Sequence, residues 1–253
     1  MNNLIKKDVP TISIFTDFLA KDHWEIIDKY CKQNKDNFEF VGYGSPVRWK
    51  EYTHSKNPNL KFKRSFLMTE EEYSLLTKGE IEEPYPNDTK HGDNYKMYMD
   101  IPTHGLIHEI LTRMLEQTEQ VILNTYGYKT FRESGPWLTH SSVGDHMKLH
   151  CDGTFIANRN ASTDFSSVYY VNDDYEGGNF NMPVMGFNFK PLANSLVIWS
   201  NSGHEDMAHE VLPVTNGDRF VSQGFFSKNK ELANRWPKER KFLNKVNNVE
   251  SEH

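Results

Sequence analysis

The part of the chain that decides the fold opens with Gly144-Asp145-His146-Met147-Lys148-Leu149-His150-Cys151-Asp152-Gly153 and closes with His209-Glu210-Val211-Leu212-Pro213-Val214-Thr215-Asn216-Gly217-Asp218-Arg219-Phe220. Between these segments, short apolar runs alternate with turn-forming residues such as Asn172-Asp173-Asp174 and Gly177-Gly178. Several short strands separated in this way predict a sandwich or barrel of antiparallel strands. We expect the strands of this part at residues 136–138, 167–171, 187–189, 195–199 and 219–222.

The residues upstream predict one short strand and two helices. Residues 11–19 have the alternating character of a strand. Asp22 with Glu25 three residues later resembles a capping box at the start of an amphipathic helix. The second helix is predicted to begin at Pro102 and to end at Gly127 in a left-handed C-cap. The residues of the first helix that recur at helical spacing, and that we expect inside, are Trp24, Ile27, Tyr30 and Cys31.

Composition restricts the class of protein. The 253 residues are 37% hydrophobic and 25% charged, as in soluble globular proteins, and no apolar stretch is long enough to span a bilayer. The N-terminus lacks the apolar core of a signal peptide, and two cysteines make neither a disulfide framework nor a zinc motif. We therefore expect a soluble cytoplasmic protein. The net charge of −6 argues against a protein whose main function is to bind nucleic acid.

His150, Asp152 and His209 form a candidate metal site. Residues two apart on a strand project from the same face, so His150 and Asp152 can present an imidazole and a carboxylate to one ion. With His209 they make a set of two histidines and one carboxylate, which leaves positions open on the metal and is typical of non-haem Fe(II) oxygenases. Arg219 begins an apolar strand directly after a turn, an unusual place for a cation unless it holds an anion such as a carboxylate.

In this combination the segment resembles the 2-oxoglutarate- and Fe(II)-dependent dioxygenases, particularly the prolyl 4-hydroxylase branch. The resemblance covers residues 137–227 closely and the N-terminal helices more loosely. The pieces that carry it are Gly144 six residues before His150, the H-x-D-G of residues 150–153, Tyr-Tyr-Val-Asn-Asp-Asp-Tyr-Glu-Gly-Gly at 169–178, the strand at 191–199, Ala208-His209-Glu210-Val211, and Arg219.

The resemblance implies a mainly β protein with supporting helices, folded as a cupin-like double-stranded β-helix, or jelly roll, with iron between its two sheets. His150, Asp152 and His209 would bind Fe(II), and Arg219 would pair with the distal carboxylate of 2-oxoglutarate, so that all four serve catalysis. The Tyr170 hydroxyl would assist Arg219, although a packed sheet aromatic is an alternative reading. The expected cofactors are Fe(II), 2-oxoglutarate and O₂, with ascorbate as an activator.

Further residues near the site have open roles. Trp199 and Phe180 either wall the pocket or belong to the core. Ser222, three residues beyond Arg219, is a further candidate hydroxyl for the 2-oxoglutarate end. Met147 stands where many relatives have a tyrosine, so that the polar contact to cosubstrate or substrate is lost or supplied elsewhere.

We expect one dioxygenase domain over residues 1–253, with N-terminal helices and an insert at 1–135, a catalytic jelly-roll core at 136–227 and a polar, partly helical tail at 228–253. Residues 41–100 of the insert favour loops and short strands, and a loop region of this length suggests a lid or a substrate-facing element. The favoured function is hydroxylation of a peptidyl proline or another protein residue. Alternatives are hydroxylation of a free amino acid or small metabolite, or a non-catalytic metal-binding recognition module.

Overall fold

The computed structural model describes residues 12–38, 47–67, 96–98, 105–133, 135–155, 163–201 and 205–233. The helices in these ranges are α1 (Lys21–Asn34), α2 (Leu106–Tyr126) and α3 (Lys230–Ala233). The strands are β1 (Ile12–Phe15), β2 (Val47–His54), β3 (Asn57–Leu67), β4 (Lys96–Tyr98), β5 (Phe131–Arg132), β6 (Leu138–Ser141), β7 (Met147–Phe155), β8 (Phe165–Tyr170), β9 (Glu176–Gly177), β10 (Phe180–Met182), β11 (Phe187–Phe189), β12 (Ser195–Ser200), β13 (His209–Val211), β14 (Val214–Asn216) and β15 (Arg219–Ser227).

The strands form two main sheets. The first sheet has the order β1-β12-β8-β15-β6-β4, with β5 also paired to β15, and the second has the order β11-β10-β13-β7-β3-β2. The two sheets face each other across a shared core. The four strands of the first sheet on this core are β12, β8, β15 and β6, and those of the second are β11, β10, β13 and β7. Strands β9 and β14 pair with each other in a small separate sheet. Two sheets of this kind, built from eight antiparallel strands, are a jelly roll, as predicted.

Strand β12 illustrates why the first sheet is apolar on both faces. Leu196 and Ile198 point outward to the cluster formed with the helices, whereas Val197 and Trp199 point inward to the cluster between the sheets. A strand that is buried on both faces reads as a continuous apolar run, which is the pattern of residues 196–199.

Helices α1 and α2 cover the outer face of the first sheet. Ile27 and Cys31 of α1 and Leu111 and Met114 of α2 are almost fully buried there, and each large side chain contributes about 1.5–3 kcal/mol by burial. The predicted C-cap of α2 is confirmed, because Gly127 is left-handed and its N–H donates to the carbonyl of Leu123 at 2.9 Å. In the described part of the chain, no helix is both long and apolar enough to cross a membrane.

The predicted start of the first helix is wrong. Helix α1 begins at Lys21 after Ala20, without a side-chain cap, so Asp22 lies in the first turn and forms no capping box. Its carboxylate there still interacts favourably with the helix dipole. Helix α2 begins at Leu106 after the extended Gly105, and the predicted start at Pro102 lies outside the described residues.

Part of the predicted insert is a hairpin. Strands β2 and β3 are 8 and 11 residues long, and β3 runs parallel to β7 with Lys63 opposite His150. The hairpin therefore extends the second sheet beyond β7. The lid and the partly helical tail predicted for residues 41–100 and 228–253 fall largely outside the described residues. The first strand, predicted at 11–19, is limited to Ile12–Phe15, because the backbone turns at Asp17 with a φ of 49°.

Candidate metal centre and anion site

The structure brings the three predicted metal ligands together in the second sheet. His150 and Asp152 lie two apart on β7, and His209 of β13 pairs directly with His150. The Nε2 atom of His150 lies 3.3 Å from Oδ1 of Asp152, and Nε2 of His209 lies 3.4 Å from Oδ2. One candidate ligand atom from each residue falls within 4.8 Å of the others, which is close enough for all three to share one ion.

Backbone carbonyls fix the orientation of both imidazoles. Nδ1 of His150 lies 2.8 Å from the carbonyl oxygen of Lys148, and Nδ1 of His209 lies 3.0 Å from that of Met207. A carbonyl oxygen only accepts hydrogen bonds, so Nδ1 carries the hydrogen in each ring. Both rings therefore turn Nε2 toward Asp152, the arrangement by which a second partner orients a metal-binding histidine.

The donor set fits a divalent metal. When both rings are neutral, two Nε2 lone pairs face the carboxylate oxygens of Asp152, and a cation between them relieves the repulsion among acceptors. Burial raises the pKa of the Asp152 carboxyl, but His209 and His150, in their protonated form and without a metal, outweigh burial and hold that pKa well below its usual range. Asp152 is therefore an ionised candidate ligand, and two imidazoles with one carboxylate suit Fe(II).

Two aromatic rings enclose His209. The ring of Trp199 lies 4.8 Å from the imidazole in an edge-on arrangement, and the ring of Phe180 lies 5.4 Å away. Both residues also belong to the buried cluster between the sheets. They therefore line the site and form part of the core at the same time. All three candidate ligands are at most 9% exposed. The surroundings keep bulk water away from His209.

Arg219 faces this centre from the opposite sheet. It is 4% exposed at the start of β15, and its guanidinium lies 5.2 Å from the ring centroid of Tyr170. Tyr170 pairs with Val221, two residues along β15, so Tyr170 and Arg219 share the inner face of the sheet. Within the described ranges, neither Nε of Arg219 nor the hydroxyl of Tyr170 has a hydrogen-bond partner. Buried polar atoms seldom lack partners, which points to a missing ligand.

Sequence reasoning missed Tyr175. This residue follows β8 in a turn, is 3% exposed, and its hydroxyl also has no hydrogen-bond partner among the described residues. Burial raises the pKa of Tyr170 to about 12 and also raises that of Tyr175, although Arg219 lowers both. At neutral pH both phenols keep their protons. The guanidinium and the two hydroxyls thus form a group of donors suited to an anion.

Asn172, also missed, holds the backbone on both sides of Arg219. Its side-chain amide donates to the carbonyl of Asp218 at 2.7 Å, and its carbonyl accepts from the N–H of Phe220 at 2.8 Å. The residue is 3% exposed and lies two positions after Tyr170. One buried side chain therefore connects the segment after β8 to the start of β15. These bonds fix the backbone position of Arg219.

The structure does not bring Ser222 to this site. The Ser222 hydroxyl donates to the backbone carbonyl of Trp137 at 2.8 Å, and the residue pairs with Tyr169 rather than Tyr170. Because Ser222 is an odd number of residues from Arg219 on the same strand, it lies on the outer face. The expectation that its hydroxyl contacts the 2-oxoglutarate end is therefore corrected.

A second group of possible ligands, His54, Glu205 and Asp206, is already paired within the protein. Nε2 of His54 lies 2.9 Å from Asp206, whose other oxygen lies 3.3 Å from the Lys56 ammonium. The backbone N–H of Ser55 donates to Glu205 at 3.2 Å. These contacts join the turn of the β2–β3 hairpin to the short turn before His209, and we interpret them as structural.

A protein-family model described as the 2OG-Fe(II) oxygenase superfamily matches residues 136–227. The matched range contains every residue of the candidate metal centre and anion site. Comparison of the sequence with curated proteins finds no match.

Three solved structures illustrate the likeness in fold. A prolyl hydroxylase from Trichoplax adhaerens, in complex with a peptide fragment of the hypoxia inducible factor oxygen degradation domain, has a TM-score of 0.54 and 14% identity, covering 88% of this chain and 86% of that chain. A Pseudomonas putida prolyl-4-hydroxylase has a TM-score of 0.53 and 14% identity, covering 86% and 92%. The viral collagen prolyl hydroxylase of Paramecium Bursaria Chlorella virus-1, in a 2OG complex, has a TM-score of 0.51 and 11% identity, covering 87% and 96%. At these identities the comparisons establish a shared jelly-roll fold.

Proposed function

Because a family model of the 2OG-Fe(II) oxygenase superfamily matches residues 136–227, we propose that the protein hydroxylates a prolyl or another residue within a peptide or protein. This match confirms the predicted dioxygenase class and the predicted cofactors Fe(II), 2-oxoglutarate and O₂. Activation by ascorbate stays a prediction.

In this proposal His150, Asp152 and His209 hold Fe(II), and Arg219 with Tyr170 holds the distal carboxylate of 2-oxoglutarate. The observation that carries it is that buried donors without partners in the described part of the chain lie on one sheet, opposite three converging acceptors on the other. A dicarboxylate with a metal-binding 2-oxo acid at one end satisfies both groups at once.

Each residue has a separate task in the proposed reaction. Fe(II), when bound, supplies the oxidation of a substrate C–H bond by O₂, coupled to decarboxylation of 2-oxoglutarate to succinate. Asp152 stays ionised and neutralises part of the metal charge. Arg219 neutralises and orients the distal carboxylate, and the fork of its guanidinium suits a carboxylate held at two points. Phe180 and Trp199 keep water from the His209 side.

The β2–β3 hairpin supports a peptide as substrate. Lys63 of β3 lies opposite His150, and residues in register share a face, so the face that carries the metal ligands continues onto the hairpin. On that face Lys61 and Glu51 form an exposed ion pair of 3.0 Å. A polar surface two strands wide beside the metal ligands provides room for an extended chain. The Trichoplax relative binds a peptide on the same fold.

We also propose that residues 1–253 form a single domain, as the sequence predicts. Strand β1 pairs with β12, β4 pairs with β6, and β3 pairs with β7. Elements from outside the core at 136–227 therefore complete both sheets. This integration supports one folding unit rather than a core with a separate N-terminal domain.

The test is release of succinate from 2-oxoglutarate in the presence of Fe(II) and ascorbate, with and without a library of proline-containing peptides. Matched control peptides carry alanine in place of proline, and Asp152→Ala serves as the inactive protein. We expect at least one proline peptide to raise succinate release above the rate without peptide and to gain one oxygen atom by mass spectrometry.

Two results would contradict the peptide proposal. One is the absence of stimulation by any peptide. The other is stimulation by free amino acids or small metabolites alone, which would assign the site to a small substrate. Equal stimulation by the proline and alanine peptides would mean that a residue other than proline is hydroxylated.

A further inference from the structure

Tyr175 is a buried tyrosine whose hydroxyl group has no partner within the described ranges. It is 3% exposed, and it is outside the regular strands that position Tyr170 and Arg219. A buried phenol normally finds a hydrogen-bond partner, so its unsatisfied hydroxyl requires an explanation. Among the same described residues, the hydroxyl of Tyr170 and Nε of Arg219 also have no hydrogen-bond partner.

The backbone around Tyr175 brings its ring against Arg219. A Cβ atom added to Gly178 would lie 3.0 Å from Cδ of Arg219 and 3.0 Å from Cε2 of Tyr175, so the two side chains meet over this glycine. Gly178 has a φ of +61°, and Gly217 leaves room for the backbone of Tyr175 in the same way. Any larger residue at Gly178 would separate Tyr175 from Arg219.

Lys190 fixes the ring from the other side. Its ammonium lies 4.5 Å from the centroid of the Tyr175 ring, and it donates to the backbone carbonyls of Asp173 and Tyr175. The tyrosine is therefore held at its ring and at its backbone, while its hydroxyl has no hydrogen-bond partner among the residues that the structure describes. This is the arrangement of a preorganised ligand contact.

We propose that Tyr175 is a second phenol donor to the distal carboxylate of 2-oxoglutarate, beside Tyr170 and Arg219. The inference rests on the proposed function, because it needs the cosubstrate to lie at Arg219. One guanidinium and two neutral phenols then surround one carboxylate, and the tyrosine contact that Met147 does not supply comes from the turn after β8. The three donors favour 2-oxo acids that carry a second carboxylate over those that end in a methyl group.

The experiment measures binding to Fe(II)-loaded protein by anaerobic calorimetry, with 2-oxoglutarate and with 2-oxopentanoate. The second acid has the same chain length and ends in a methyl group. We expect Tyr175→Phe to weaken 2-oxoglutarate binding about tenfold, the effect of one hydrogen bond to a charged group. Binding of 2-oxopentanoate should change by less than about twofold, since no carboxylate meets the phenol.

Tyr169→Phe is the matched control, because the Tyr169 hydroxyl is buried on the outer face and donates to Asn194 at 2.9 Å. It should bind both acids as the native protein does. Unchanged 2-oxoglutarate binding in Tyr175→Phe would overturn the inference. An equal loss for both acids would also overturn it, because that loss would reflect general disturbance of the pocket.

The inference and the proposed function fail in different ways. If the native Fe(II) protein does not bind 2-oxoglutarate, both fail, whereas native binding with an unaffected Tyr175→Phe removes Tyr175 alone. If Tyr175→Phe does not fold, a crystal structure of the native protein with 2-oxoglutarate decides. The Tyr175 oxygen should lie about 2.5–3.0 Å from the distal carboxylate, and a distance beyond hydrogen-bond range would overturn the inference.

Discussion

Tyr169 and Tyr170 are neighbours on β8, yet the protein treats their hydroxyls in opposite ways. Both residues are fully buried. On the outer face, the Tyr169 hydroxyl donates to Asn194, which also bonds the backbone of Leu19 through both of its side-chain atoms at 3.0 Å. On the inner face, the Tyr170 hydroxyl has no hydrogen-bond partner among the residues described. The outer hydroxyl stabilises the fold, whereas we propose that the inner one binds a ligand.

Strand β15 repeats the contrast. Ser222 points outward and donates to Trp137, whereas Arg219 points inward with an unpartnered Nε in the described part of the chain. An unsatisfied buried donor costs about 1–3 kcal/mol, and more when it is charged. A protein retains such groups at a functional site because a bound ligand satisfies them. The outer face of this sheet thus contributes to stability, and the inner face carries the groups that we propose bind a ligand.

The largest expected effect comes from Arg219→Ala. Loss of a guanidinium that holds a carboxylate at two points should weaken 2-oxoglutarate binding about a hundredfold or more. Thermal unfolding should show little loss of stability, because Nε of the buried guanidinium that the variant removes has no hydrogen-bond partner among the described residues. Anaerobic calorimetry and a melting curve measure both quantities.

Arg132→Ala is the control for Arg219→Ala. Arg132 lies on β5 and pairs with Glu116 at 3.7 Å and Glu119 at 4.0 Å. Its loss should leave 2-oxoglutarate binding unchanged. If Arg219→Ala bound the cosubstrate as tightly as Arg132→Ala does, Arg219 would have no role in the anion site.

The adjacent tyrosines give a smaller and more selective effect. Tyr170→Phe should weaken 2-oxoglutarate binding about tenfold, because one hydrogen bond to a carboxylate is lost, and should not lower stability. Tyr169→Phe should bind normally and lower the free energy of unfolding by about 1 kcal/mol. Binding titrations and urea unfolding of the two variants check the prediction. Identical behaviour of both variants would abolish the distinction between the two faces.

The smallest effect concerns the pH dependence of stability at Asp218, which accepts from His140 at 2.7 Å and from Lys35 at 3.0 Å. Burial would raise the pKa of the Asp218 carboxyl, but these two hydrogen bonds outweigh burial and lower it. A lowered folded-state pKa stabilises the protein above the unfolded value of about 4, and this stabilisation is lost as the pH falls through the folded-state pKa.

Asp218→Asn should therefore lower the free energy of unfolding by about 1 kcal/mol at neutral pH, an effect kept small because the carboxylate is 30% exposed. The difference from the native protein should vanish once the pH lies below the folded-state pKa. Urea unfolding across the acidic range measures it. A difference that stays constant with pH would mean that the charge of Asp218 contributes nothing.

Strand periodicity made part of the proposed metal site predictable. Residues two apart on a strand share a face, which put His150 and Asp152 together, and the apolar strand after Asp218 made Arg219 stand out as a buried cation. The same rule argues against Ser222, since three residues on a strand lead to the opposite face. The prediction for Ser222 considered only its nearness in sequence.

Tyr175 and Asn172 could not be found in this way. Both lie in the turn after β8, where no periodicity fixes a direction, and their roles depend on contacts with β15 more than forty residues away. The helix start at Asp22 failed for a related reason. A capping pattern is local, whereas Trp24, whose indole donates to the carbonyl of Val171 at 2.7 Å, helps to set where α1 docks. Tertiary contacts decided what local sequence left open.

The most direct test of the central claim is anaerobic visible absorption after addition of Fe(II) and then 2-oxoglutarate, with Asp152→Ala as the control. We predict a weak charge-transfer band in the native protein and none in the variant, because His150, Asp152 and His209 hold the metal to which the 2-oxo acid binds. Absence of the band from native protein that is shown to contain Fe(II) would contradict the account.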